Sequence, residues 1–129
     1  MDLPAGLLYT KEHEWVKLDG ANAIVGITDY AQSSLGDIVY VEMPKAGSAV
    51  EQFKQMGVIE SVKAVSDIFA PLSGSILEVN ADVENDPAKV NSDPYGAGWL
   101  VKIALADAAQ TKALLDAAGY QKVVDAADH

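Results

Sequence analysis

Through its first hundred residues the chain is a series of short extended runs, each ended by Gly, Pro, Asn or Asp. That punctuation constrains the fold most, because strands accommodate it and long helices do not. His13 to Leu18 and Ala23 to Ile27 read as strands about the turn Asp19-Gly20, a favoured hairpin dipeptide. Ile38 to Val41 is rich in β-formers, and Gly57 to Val62 with Ala64 to Phe69 predicts another strand pair. Trp99 to Ala104 reads as a late strand. Helices are expected only as short insertions. Thr28 should cap one with Tyr30, Ala31 and Leu35 on or near one face and Gly36 as its stop, and Asp86-Pro87 should start another. Ala106 to Ala118 is alanine-rich with Leu114, Leu115 and Ala118 at helical spacing. A helix is expected there, broken by Gly119, with Val124 to His129 frayed.

Two segments echo each other. Gly36-Asp37-Ile38-Val39-Tyr40-Val41 and Gly74-Ser75-Ile76-Leu77-Glu78-Val79 share the pattern Gly-polar-Ile-aliphatic-x-Val. Two similar half-sheets folded against each other would produce such a pair.

A single domain is expected over residues 1–129, with a β core at about 7–105 and a helical segment at about 106–125. Nine Lys and Arg against nineteen Asp and Glu give a net charge of −10. That balance disfavours nucleic acid and anionic membrane surfaces, and suits a monomer that meets larger, less acidic partners. The absence of cysteine excludes disulfides, thiolate metal sites and a cysteine nucleophile. No run approaches the ~20 apolar residues of a membrane span. Met1 to Gly6 lacks the marks of a signal or transit peptide, so a cytoplasmic location is expected.

Lys63 lies between two β-competent runs, where a tight turn would sit, flanked by the compact Val62 and Ala64. An enzyme that modifies a lysine needs an amine projecting from such a tip. A Schiff-base lysine wants a buried site instead. Lys63 is therefore either an ordinary solvated residue or a modified one, and spacing alone leaves both open. His13 and Glu14 are adjacent, so on a strand they would point to opposite faces and form no dyad. A structural or surface role is the expectation for His13, and no catalytic residue is assigned. Asp82, Glu84, Asn85 and Asp86 lack the ordered spacing and central glycine of an EF-hand loop and read as a solvated turn, so no metal site is expected.

Glu60-Ser61-Val62-Lys63-Ala64-Val65-Ser66-Asp67 closely resembles the lipoyl-lysine motif of the H proteins of the glycine cleavage system. Further blocks match in family order: Tyr9 to Val16, Gly26 to Gln32, Leu35 to Val39, Asn91 to Gly96 and Gly98 to Leu100. Together the likeness covers roughly residues 7 to 120. It implies a mainly β, lipoyl-type flattened β barrel-sandwich hybrid with short helices and a C-terminal helix. It also implies lipoic acid on Lys63, attached by a lipoyl ligase or transferase, with Glu60, Val62 and Ala64 as motif context. Such a carrier shuttles the aminomethyl group of glycine between a glycine decarboxylase (P protein), an aminomethyltransferase (T protein) and a dihydrolipoyl dehydrogenase (L protein). The resemblance places a shielding groove near Ile27, Ala31, Leu35 and Ala64. Glu14 and Asp67 are the expected carboxylate partners of the cargo's amine, and Glu12 is a further candidate. The apolar three are equally readable as core. Phe53 and Met56 depart from the family, which often carries a glycine and an aromatic residue there, and Ala97 stands where an acidic residue is common. A relay passing the lipoyl group to other acceptors is the alternative, and an unmodified binding or scaffolding β-domain is a third reading. No convergent nucleophile, base and oxyanion donors support an enzyme.

Overall fold

A computed structural model describes residues 3–127. Over these the chain runs β1 (Leu8–Tyr9), β2 (Glu14–Asp19), β3 (Asn22–Ile27), α1 (Asp29–Leu35), β4 (Ile38–Glu42), β5 (Ala49–Val50), β6 (Gln55–Ser61), β7 (Val65–Phe69) and β8 (Gly74–Val79). Then come α2 (Ala81–Asn85), α3 (Ala88–Ser92), β9 (Val101–Leu105), a 3-10 turn (Ala108–Ala113) and α4 (Ala117–Ala127). Two antiparallel sheets result, one of six strands ordered β1-β2-β3-β9-β8-β5 and one of three ordered β4-β6-β7. The expected mainly β architecture with short helices and a C-terminal helix is present. Among the described residues no helix is long and apolar enough to cross a membrane.

The punctuation explains the strands. Gly20 takes a left-handed φ of 60°, so it sits inside the β2–β3 loop with Ala21, and the pairing extends to Asp19 opposite Asn22. The turn is thus one residue later than expected. Side chains from both sheets, among them Val16, Val25, Ile59, Ile68 and Ile103, are buried in one cluster. Each contributes about 1.5–3 kcal/mol on leaving water.

The sequence echo is structural. Its copies are β4 in the small sheet and β8 in the large one, and each breaks register at the same place, between Ile38 and Tyr40 and between Ile76 and Glu78. Ile38 and Ile76 are both buried, and the residue after each is exposed.

Other expectations need correction. The acidic stretch is not a solvated turn, for Ala81–Asn85 form α2. Asn80 caps it by accepting from the Asp82 amide, and Val83 is buried beneath it. Asp86 ends that helix, so Asp86-Pro87 is a junction between α2 and α3. The alanine-rich tail is also two pieces. Asp107 caps the 3-10 turn, and Leu115 then exchanges backbone hydrogen bonds with Tyr9. Asp116 starts α4 by accepting from the amide of Gly119, which lies in the first turn and breaks nothing. Val124 is not frayed. It and Tyr120 are buried beside Tyr9 and Trp15 in a second cluster; Asp128 and His129 lie outside the described residues.

Candidate functional site

Lys63 stands at the tip of the β6–β7 hairpin, exposed, as the strand pattern predicted. Ser61 builds that tip. Its amide donates to the Ala64 carbonyl at 2.8 Å, and its hydroxyl oxygen accepts from the amides of Ala64 at 3.0 Å and Lys63 at 3.3 Å. A side chain thus stands in for the backbone carbonyl of a tight turn. Val62 and Ala64 are exposed on either side, and Glu60 is half-buried below.

The tip is tied to the end of α1. Thr28 caps the start of that helix by accepting from the Ala31 amide, and Gly36 ends it with a φ of 80°. A Cβ on Gly36 would lie 3.5 Å from Lys63 Cε, so the lysine stem passes directly over the helix end. The Val62 amide donates to the Asp37 carbonyl at 3.0 Å. Asn91, in α3, accepts from the Ile38 amide and donates to the Gly36 carbonyl and to Gln32 Oε1, each at 2.9 Å. The neighbouring turn holds the helix start, where the Asp29 amide donates to the Tyr95 hydroxyl at 2.9 Å.

Between α1 and β7 lies a groove of about 250 Å³. Ile27, Ala31 and Leu35 form apolar wall, and Glu12 and Asp67 bring carboxylates to it. Five of the residues expected to meet therefore do so. Ile27 belongs to the core and Ala31 and Leu35 pack against it, so all three are core-packed residues that also line the groove. Ala64 stays at the tip, outside the lining.

Glu14 is placed differently, beneath the surface and only 1% exposed. Its carboxyl accepts from Thr10 Oγ1 at 2.6 Å and from the Phe69 amide at 3.3 Å. Burial pushes its pKa from 4.5 up to about 8, against the opposing pull of those two hydrogen bonds. Near neutral pH Glu14 is largely a protonated acid, not a surface carboxylate.

Sequence reasoning did not assign His13, Tyr30, Ser34, Ser66 and Ile68 to the groove, which they complete. Tyr30 and Ser34 were findable, since their spacing matches that of Ala31 and Leu35 on α1. His13 was not, because it precedes β2 with a left-handed φ of 73° instead of opening the strand. Its Nδ1 lies 2.7 Å from the Tyr120 hydroxyl, which also meets Thr28 Oγ1 at 2.8 Å. Burial lowers its pKa, so the ring is neutral near pH 7. It is a structural histidine that also walls the groove.

A second, more apolar cavity of about 320 Å³ adjoins the first through Glu12, with Phe53, Phe69 and Leu115 in its walls. Phe53 holds a φ of 65°, the left-handed region where glycine costs least. The departure at position 53 therefore leaves the turn intact at a cost in backbone strain.

The model of the glycine cleavage H-protein family matches residues 7–127. The glycine cleavage system H protein of Chlorobium luteolum is 55% identical over 126 residues, covering 96% of this chain and 98% of its own. That of Myxococcus xanthus is 52% identical over 119 residues, covering 92% of each. The crystal structure of the H protein from Mycobacterium marinum superposes with a TM-score of 0.84 at 39% identity, over 95% of this chain and 99% of that one. The chain belongs to the glycine cleavage H-protein family.

Proposed function

We propose that the arm carried by this chain is rooted at Lys63 and parks its cargo in the groove between α1 and β7. The protein is the carrier component of the glycine cleavage system, not one of its enzymes, and its partners are the P, T and L proteins. The observation that carries the reading is that one exposed lysine leans over the end of α1, beside a groove with apolar walls and two carboxylates.

The residues fit lipoate. Lys63 offers a free amine at a protruding tip, the bare Gly36 leaves space along the stem, and the groove accepts a thin aliphatic arm. When bound, the lipoyl group supplies a disulfide that opens to hold the aminomethyl group of glycine and is later restored by oxidation. The chain does the rest. Ile27, Ala31 and Leu35 keep water from the sulfur end, while Glu12 and Asp67 offer the cationic amine its counter-charge. Glu14 is buried outside the groove's lining, against Thr10 and Phe69, and takes no part in the docking. The tether raises the local concentration of cargo at each partner. The carrier acts as a monomer in the cytoplasm.

The test is intact mass after incubation with a lipoyl ligase, ATP and lipoic acid. The wild-type chain should gain one lipoyl group, and Lys63→Arg should keep its fold and gain nothing. An unmodified wild type, under conditions that modify a control carrier, overturns the reading.

A further inference from the structure

The groove runs along the β7 edge of the hairpin that presents Lys63. Across the outer face of the small sheet, the register Tyr40↔Glu60 and Glu60↔Val65 puts these three side chains in one row over β4, β6 and β7. Tyr40 is 44% and Val65 66% exposed. Val39 and Val62 lie beside them at 54% and 70%. Among the described residues, four of the seven large hydrophobic side chains left exposed thus gather at one end of the smaller sheet, around the base of a single lysine.

The bulge makes this concentration possible. Strict alternation from the buried Ile38 would send Tyr40 inward and Val41 outward. The register break reverses both, so Val39 and Tyr40 face water while Val41 is buried. In the echo strand the same break turns out Leu77 and Glu78, and Glu78 meets Lys102 at 3.4 Å. The fold therefore requires the bulge but does not require an aromatic residue at its outer position.

Charge selects the partner. β4, β6 and β7 contain no lysine or arginine, whereas Glu42, Glu60 and Asp67 are on them and Asp37 is beside the tip. Tyr40 donates its hydroxyl proton to Glu42 Oε2 at 2.9 Å, which holds one carboxylate against the apolar row. A complementary surface has an apolar centre and a basic rim.

Reach narrows the choice further. The enzymes of the cycle act at the far end of a long arm. An enzyme that acylates Lys63 must bring an activated lipoyl carbonyl to Nζ itself, one lysine side chain from the backbone. We propose that the outer face of the three-stranded sheet, centred on Tyr40 and Val65, is the docking surface for the enzyme that attaches the lipoyl group. This rests on Lys63 being the attachment site.

The test uses the unlipoylated full chain and follows lipoylation by a purified lipoyl ligase through intact mass. Wild-type modification first establishes the attachment reading on its own. Tyr40→Ser with Val65→Ser should then lower kcat/KM about tenfold or more, chiefly through KM. Glu42→Lys, which leaves the apolar row in place, should also raise KM, and added salt should weaken wild-type recognition. Leu77→Ser, at the position of the echo strand that matches Val39, is the control and should change nothing. Thermal melts of each variant confirm folding. Equal lipoylation of wild type and the double variant overturns the proposal. Normal lipoylation with impaired aminomethyl transfer assigns the face to an enzyme of the cycle and overturns it equally.

Discussion

Glu14 is a carboxyl that the fold buries with hydrogen-bond donors and, among the described residues, no cation. Its pKa is about 8 in the folded protein against an ordinary 4.5, so the folded state holds a proton that the unfolded state has released. Stability from this residue is complete below about pH 4.5 and is lost as pH rises toward 8. The full span corresponds to about 5 kcal/mol at ~1.36 kcal/mol per pK unit. Glu14→Gln keeps the volume and cannot ionise. One of its amide contacts will be mismatched, because Thr10 Oγ1 and the Phe69 amide both donate to the native carboxyl, at a cost of about 1 kcal/mol that does not vary with pH. Urea unfolding of both proteins at about pH 5 and about pH 7.5 isolates the term, since every other titrating group cancels in the difference. The variant should gain about 3 kcal/mol on the wild type between those two conditions, roughly 2 M in midpoint at an m of about 1.5 kcal/mol/M. Parallel profiles would refute the argument, and would mean that Thr10 and Phe69 hold Glu14 ionised inside the protein.

Asp67→Ala removes an exposed carboxylate from the groove, so stability should move by less than about 0.5 kcal/mol while the lifetime of the aminomethyl-loaded protein shortens; an unchanged lifetime, followed by mass, removes Asp67 from the docking site. Asn91→Ala breaks three hydrogen bonds joining α1, β4 and α3 and should cost about 2–3 kcal/mol in chemical denaturation. Hydrogen exchange should show the amide of Ile38, whose acceptor is Asn91 Oδ1, losing protection first. Ser61→Ala should leave the melting temperature nearly unchanged and slow lipoylation severalfold, because the Lys63 and Ala64 amides lose their acceptor. Ser61→Asp, which can accept the same two bonds, should restore the rate.

The strands were legible because their ends were marked by Gly, Pro, Asn and Asp at spacings no helix could use. The Lys63 tip was legible as a turn, but its chemistry came from family likeness alone. The readings that failed share a cause. α2 is five residues long and polar, and only the Asn80 cap and the buried Val83 distinguish it from a loop. In the tail, alanine content signalled helix correctly but did not set its phase. Asp107 and Asp116 do that, and a cap at Asp116 turns Gly119 from a terminator into a first-turn residue. Glu14 escaped because β2 does not alternate at its start, where Glu14, Trp15 and Val16 are all buried between the main cluster and the aromatic one. A charged residue beginning a strand reads as solvent-facing unless both layers above and below it are known.

Hydrogen bonds among Gly36, Asp37, Asn91 and Val62 tie the hairpin of Lys63, the proposed root of the arm, to α1, the proposed wall of its groove. On that proposal, parking and release need no breathing of the backbone. Only the single bonds from Lys63 outward change their freedom. Immobilising a chain of lysine's length costs about 1.5–2 kcal/mol of rotamer entropy, a sum comparable to what one apolar contact in the groove returns. An arm rooted at Lys63 as proposed would therefore be held mainly by its cargo's charge and freed when that charge is handed on.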